Sequence, residues 1–265
     1  MVYVRNTRQF IPIEEIDVIW WRRIKASQVI ANGTIDHKYT EFINSSFYTA
    51  LTGSLYTKFS GKWISHPMST ALASNKLFQL QAAKKSGFRV PRTIVSQDPD
   101  AICSFQSANN SGTIIKALQP STGGPPLFTQ MLTKDHLSSD KSIMLCPVIY
   151  QELIQGTSHL RVNCFGRDIY AVMLETSDLD WRVDLRNTKI TVVNLQDAIK
   201  ERIYRVCKEL QLKMGIFDFK VTSEGGIVWL EVNPQGQFLF IEGITGFDLK
   251  SSFAKFLYNQ AMHYV

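Results

Sequence analysis

Apolar and polar positions along this chain change their period several times, and each change marks an element. Ser69 to Ser86 carries Leu72, Leu77, Leu80 and Ala83 at helical spacing, with Ser69 or Thr70 as cap and Gly87 as terminator. Leu195–Leu210 reads as an amphipathic helix, Phe247–Tyr258 as the last one, Pro99 to about Ala108 as a short one, and residues 36–51 as a weaker one. Elsewhere β-branched and aromatic residues gather in short runs that predict strands: Val18–Trp21, a segment opened by Pro91, Ile114–Leu118, Leu127–Leu132 and Met144–Ile154. Leu160–Phe165 and Ile169–Glu175 pair around Gly166-Arg167-Asp168. Strand-helix alternation followed by antiparallel hairpins predicts an α+β protein with more than one sheet.

A second hairpin carries the chemistry. Gly215 to Pro234 places two apolar-rich runs on either side of a Glu-Gly-Gly turn. With Glu224 and Gly225 as the turn, Asp218 faces Glu231; with Gly225 and Gly226, it faces Asn233. Glu231 and Asn233 are two apart on one strand, so either register gathers Asp218, Glu231 and Asn233 on one face. Phe217 and Phe219 fall on the opposite face, and Trp229 falls with Glu231. Two carboxylates and an amide suit a hard cation such as Mg²⁺. The alternative is a solvated acidic face, but facing acids without a counter-ion repel.

Composition narrows the class. The 265 residues are 45% apolar, enough for a substantial core in two or three lobes. No apolar run nears the roughly 20 residues of a membrane span, and the first residues lack a secretory pattern. Four cysteines lie without Cys-x-x-Cys spacing and the five histidines are dispersed, so neither a zinc site nor a disulfide framework is expected. A cytoplasmic protein follows as the default. Residues 1–92 hold 13 Lys/Arg against 5 Asp/Glu, whereas residues 93–265 hold 16 against 18. That basic end fits an acidic peptide or plain solvent, and it lacks the aromatic-basic motifs of nucleic-acid binding.

Asp218 followed by Glu231-Val-Asn233-Pro resembles the metal-binding end of the ATP-grasp ligases. The continuation Pro234-Gln-Gly-Gln-Phe-Leu-Phe-Ile-Glu242 is similar to the branch that matures microviridin-type peptides, the graspetide maturases, which form ester or amide cross-links in a precursor peptide. Ile19-Trp-Trp-Arg-Arg23, Asn75-Lys-Leu-Phe-Gln-Leu80, Val90-Pro-Arg-Thr93, Leu145-Cys-Pro147 leading into Gln151-Glu152, and Asp180-Trp-Arg182 fit it too. Ordered matches run from about residue 18 to about 250. The resemblance implies an ATP-grasp fold, two α+β lobes holding nucleotide between them, with a shortened N-terminal lobe. The implied division is 1–70 for that lobe, 71–150 for a central lobe with its lid loop, and 151–265 for the lobe bearing the metal site.

The same resemblance implies ATP and Mg²⁺ as cofactors, with Asp218, Glu231 and Asn233 on the metal. Lys116, in an otherwise apolar strand and expensive to bury unpaired, matches a phosphate-contacting lysine. Lys76 matches a second, although helical statistics alone favour a solvent-facing residue. Gln119 to Pro126 is either a phosphate lid or a plain surface loop. Tyr150-Gln-Glu-Leu-Ile154 matches the strand that pairs with adenine, so Gln151, Glu152, Leu153 and Ile154 are nucleotide residues, with a solvated Glu152 as the alternative. Arg161 matches an arginine facing the terminal phosphate, and Arg182 is either a second anion ligand or a salt bridge to Asp180 or Asp184. His159 stands where many relatives have an acid. The expected chemistry is activation of a peptide side-chain carboxylate as an acyl-phosphate, attacked by a hydroxyl or amine. Alternatives are ligation of an amino acid to another acceptor, or a scaffold without chemistry. An acidic precursor peptide and a homodimer are the expected partners, with no nucleic acid and no membrane. Replacing Asp218 or Glu231 by Ala is expected to abolish ATP turnover without unfolding the chain.

Overall fold

The computed structural model describes residues 1–4, 6–24, 36–119 and 127–262. The chain divides into two compact units, Met68–Leu249 and a second formed by Met1–Pro67 with Lys250–Val265.

In the terminal unit, β1 (Val2–Val4) pairs antiparallel with β2 (Gln9–Ile11), and β3 (Val18–Trp20) pairs parallel with β4 (Lys62–Ile64). Between β3 and β4 runs α1 (Thr40–Lys58), longer than residues 36–51 had predicted. Its Leu55 packs with Ile13, Trp21 and Phe59 in a small core. The last helix of the chain begins at Leu249 and ends at Met262, and its Phe253 meets Trp20 edge-on at 4.6 Å. No helix among the described residues is long and apolar enough to cross a membrane.

The larger unit holds two antiparallel sheets. Helix α2 (Pro67–Ala73) and helix α3 (Lys76–Lys85) replace the single helix expected over Ser69–Ser86. The break has a local cause: the Asn75 side chain accepts from the amides of Leu77 and Phe78, which caps a new helix. The buried stripe also differs from the predicted one. Leu72 and Leu77 are exposed, while Gln79, Ala82 and Ala83 face inward. Small side chains on that stripe let α3 lie close to the sheet beneath it.

The first sheet has the order β5-β8-β6-β7, from β5 (Thr93–Ser96), β6 (Thr113–Lys116), β7 (Gln130–Met131) and β8 (Val148–Glu152). Helix α4 (Pro99–Ser107) covers one face of it, with Ile102 and Phe105 packed on Tyr150, Leu132 and Ile143. Alternation along the strands sends Ile114, Lys116 and Gln151 to the other face.

The second sheet has the order β11-β10-β9-β12-β13. Its strands are β9 (Ser158–Phe165), β10 (Asp168–Glu175), β11 (Lys189–Val193), β12 (Met214–Val221) and β13 (Ile227–Asn233). After α4, the short α5 (Asp140–Ile143) precedes β8, and α6 (Asp197–Glu209) follows β11. Ile203, Val206 and Leu210 from the α6 region and Ala82 and Ala83 from α3 pack on Leu160, Val162, Phe217, Phe219 and Trp229. That is the main apolar core, and it fixes one face of the sheet. The opposite face carries His159, Arg161, Asp218, Lys220 and Glu231.

Gly156 sits between β8 and β9 at φ +134, and a Cβ there would lie 2.7 Å from the Val221 carbonyl oxygen. An alanine meets both a disfavoured backbone region and a backbone atom that cannot step aside. Gly156→Ala is expected to lower stability by about 1–3 kcal/mol, read from denaturant unfolding. An unchanged midpoint would show that the β8–β9 connection yields freely.

Candidate active site

The hairpin β12–β13 sets the geometry. Its turn spans three residues rather than two: the Thr222 amide donates to Gly226 O, the Gly225 amide to Thr222 O, and Gly225 takes φ +77. An odd turn alone would set Asp218 against Leu230 and send Glu231 to the other face. Instead the ladder shifts between Asp218 and Phe219, so that Asp218 faces Glu231 while Phe219 faces Trp229. Leu230 is the extra residue of this β-bulge. Of the two registers open to the sequence, the first therefore holds at the acids, by a route that neither loop length predicted. The bulge also corrects the position of Trp229. It lies in the apolar core with Phe217 and Phe219, 5.9 and 5.6 Å away, and not on the face of Glu231.

Asp218 is buried, and both its oxygens accept from Arg161 Nη1 at 2.8 Å. The pairing follows from register, since Arg161 lies directly opposite Asp218 on β9. Arg161 Nη2 donates to Gln237 O at 2.8 Å, and the guanidinium lies 4.9 Å from the Trp181 ring and 5.5 Å from that of Phe240. Burial pushes the Asp218 carboxyl up, Arg161 opposes this, and Glu231 across the ladder adds to it. Asn233 is exposed at the end of β13, on the face of Glu231, and its Oδ1 accepts from the Gln235 amide.

The first sheet supplies the facing wall of a cavity of about 340 Å³. Lys116 Nζ donates to Gln151 Oε1 at 3.0 Å, and Gln151 Nε2 donates to Thr93 Oγ1 at 2.8 Å. Burial brings the Lys116 ammonium down to about 8, partly offset by the charge of Glu231. Lys76 Nζ reaches the Ala117 carbonyl at 2.9 Å and lines the same cavity, in place of the solvent-facing position that helix statistics favoured. Glu152 is largely buried and lies 3.6 Å from Arg89. The amides of Glu152 and Leu153 donate to Arg92 O and Gly112 O. Among the described residues, the Ile154 amide has no hydrogen-bond acceptor, and Ile154 lines the cavity.

Arg182 forks onto Asp180 through Nε and Nη2, which raises the guanidinium. Burial pushes Asp180 up, and the Arg182 contacts outweigh it, leaving the carboxyl below its usual range. Arg182 thus forms one of the salt bridges open to it, and it lines the cavity as well. His159 and Lys220 make a further pair at 2.8 Å, both buried and both on the cavity wall. Desolvation, followed by the Lys220 charge, holds His159 down at about 4, so the neutral ring accepts from the ammonium through Nε2. Its Nδ1 has no partner among the described atoms.

The cavity therefore gathers Lys76, Lys116, Gln151, Glu152, Leu153, Ile154, Arg182, Asp218, Glu231 and Asn233, with Arg161 behind Asp218. Of the lid segment, Pro120–Pro126 lies outside the described residues. Sequence reasoning missed Lys220 and Gln79, and it left Asp180 as one of two possible salt-bridge partners for Arg182. A glutamine inside the alanine stripe of α3 was the signal for Gln79. Among the described residues no cluster of three or more His, Cys, Asp or Glu could hold a metal; the donor set is two carboxylates and an amide. It still fits Mg²⁺, which takes few protein oxygens and keeps waters. Each Asp218 oxygen retains a lone pair beyond its bond to Arg161.

No family model matches the chain. It is 27% identical over 199 residues to a probable alpha-L-glutamate ligase of Mannheimia succiniciproducens, covering 73% of this chain and 66% of that protein, just under two thirds of its length. Among solved structures it resembles macrocyclase MdnC of Microcystis aeruginosa bound with precursor peptide MdnA. The TM-score is 0.86 at 25% identity, over 95% of this chain and 81% of that one. A Chryseobacterium gregarium RiPP-associated ATP-grasp ligase in complex with ADP and a leader and core peptide gives a TM-score of 0.81 at 23% identity, over 93% and 78%.

The buried ion pair changes one expectation. Asp218→Ala would leave the Arg161 guanidinium buried without its carboxylate, which typically costs about 3–5 kcal/mol, so that variant is expected to lose stability. Lys116 behaves in the opposite sense. Its pKa in the fold is lowered, so its burial penalty is fully present below about 8 and relieved as pH rises toward the unfolded value. Lys116→Met is expected to raise stability at pH 7 by up to about 3 kcal/mol, with the gain shrinking above pH 8. Destabilisation by the methionine at neutral pH would refute this.

Proposed function

We propose that this chain, which has the ATP-grasp fold, is an ATP- and Mg²⁺-dependent ligase that activates a side-chain carboxylate of a precursor peptide. The activated carboxyl is then joined to a hydroxyl or amine of that peptide. The observation that carries this reading is the opposition, across one cavity, of the Asp218–Glu231 acid pair and the Lys116–Lys76 cations. Asp218, buried beside Glu231 without a metal role and facing a desolvated Lys116 that forms no salt bridge among the described residues, would be a double penalty with no compensating contact.

Mg²⁺ at Asp218, Glu231 and Asn233 would neutralise phosphate charge. Lys116 and Lys76 donate to phosphate oxygens, and their bonds to Gln151 and Ala117 keep them aimed. The Ile154 amide offers the base an unused donor. Arg182, held by Asp180, presents remaining donors toward the transferred group. Trp181 and Phe240, stacked at 5.9 Å, keep water from Arg161 and from the reacting oxygens near it. The peptide carboxylate oxygen attacks the terminal phosphorus, ADP leaves, and the acyl-phosphate accepts the nucleophile with release of phosphate. Positioning and charge neutralisation carry such a reaction, and no protein nucleophile is required. The basic balance of residues 1–92 favours an acidic acceptor peptide.

Glu231→Gln keeps the volume, leaves the Arg161–Asp218 pair intact and removes one metal charge. It is expected to fold as wild type and to lose peptide-dependent phosphate release by a factor of about 100 or more. Full turnover in that variant would overturn the metal assignment. The likeness to a probable alpha-L-glutamate ligase supports a second reading, addition of an amino acid to an acceptor. Mass analysis of the product separates them: cyclisation removes one water from the peptide, whereas ligation adds a residue.

A further inference from the structure

Glu231 and Asn233 sit on β13, and β13 is the edge strand of its sheet. One side of it is paired with β12; the other side presents main-chain groups that need partners. Val232, between the two metal-ligand candidates, finds them in a side chain. Its amide donates to Gln79 Oε1 at 2.9 Å, and its carbonyl accepts from Gln79 Nε2 at 2.8 Å. The same Nε2 donates to the Ala73 carbonyl at 2.7 Å. The orientation of the amide follows from these partners, since reversing it would set oxygen against two carbonyls. Gln79 is buried, so the contacts are not shared with bulk solvent.

We propose that Gln79 is a positioning residue for the metal ligands, acting as a one-residue strand that completes the open edge of β13. This rests on the nucleotide-site reading given above. A primary amide carries the same donor and acceptor as a peptide group, and with both bonds to a single residue it reproduces a hydrogen-bonded strand pair. The bonds fix the height and twist of Val232, and with it the directions in which Glu231 and Asn233 leave the strand. Two residues before Val232 the ladder is interrupted by the bulge at Leu230; on the outer edge the Trp229 amide donates to Arg89 O before the bulge, and Gln79 holds that edge beyond it.

The helix adds a coupling. Lys76 lies one turn before Gln79 on α3, behind the Asn75 cap, and reaches the carbonyl next to Lys116. One rigid turn thereby sets the distance between a phosphate cation and the metal-ligand strand. The side-chain bonds of Gln79 go to Ala73 and Val232 and not to Ile154.

The test compares wild type, Gln79→Leu and Gln79→Glu by calorimetry, with adenosine, with ATP across a Mg²⁺ titration, and with thermal unfolding alongside. Gln79→Leu removes both bonds to Val232; Gln79→Glu keeps an acceptor for its amide and loses the donors. The expected result is adenosine affinity within about twofold of wild type, with the Mg²⁺ half-saturation for ATP binding raised about tenfold to a hundredfold. An unchanged Mg²⁺ dependence in either folded variant overturns the proposal. So does an equal loss of adenosine and Mg·ATP affinity, which would mark a general packing role. If the leucine variant does not fold, the glutamate variant decides by the same comparison. Failure of wild type itself to bind Mg·ATP would instead overturn the nucleotide reading and this proposal with it. A wild-type-like Gln79→Leu beside an inactive Glu231→Gln would sink only the present inference.

Discussion

A carboxylate held out of water and face to face with a second one needs positive charge close by, and most of the larger unit is arranged around that need of Asp218. Asp218 and Glu231 oppose each other on one sheet face. Arg161 answers Asp218 from the neighbouring strand, and Lys116 answers Glu231 from the other sheet. Arg182 carries its own carboxylate in Asp180, and the charges of Glu231 and Asp218 add to that first effect. Taking Asp218 or Arg161 away leaves a desolvated partner, which ties the two strands that carry them together.

The cations facing that pair are not stabilising in themselves. Lys116 and Lys220 both sit near 8, well below an ordinary lysine, because burial strips their hydration. Lys116 is held by a neutral amide and Lys220 by a neutral imidazole. Neutral partners orient an ammonium without cancelling it, and so leave its charge available to an anion. A fold selected for stability alone would have placed apolar residues at these positions.

Most strands of the two sheets, most helices and the acid hairpin were legible in the sequence, because alternation and turn residues report directly on them; β11 was not, a five-residue edge strand with a charged end. The α2–α3 break was not, since an apolar period continues through Asn75 and only the cap geometry divides it. Trp229 was assigned to the wrong face because a bulge leaves no compositional mark: Leu230 is as good a strand residue as its neighbours. Gln79 was overlooked for a related reason. Its importance lies in main-chain groups of a strand 153 residues away, which a polar residue in the alanine stripe hints at without naming. The Arg161–Asp218 pair was equally invisible, since it follows from the β9–β12 register and not from spacing within either strand.

The three-residue turn and the bulged Leu230 form a compensated pair of irregularities. Each alone reverses the parity of the hairpin, and together they restore it. The tip at Glu224 and Gly225 is open to solvent, so a longer loop can be absorbed there while the buried face keeps its register. The strand has no such freedom, since a residue added between Glu231 and Asn233 would carry one of them to the other face. Chain length can therefore vary at the tip of this hairpin and is fixed along its second strand.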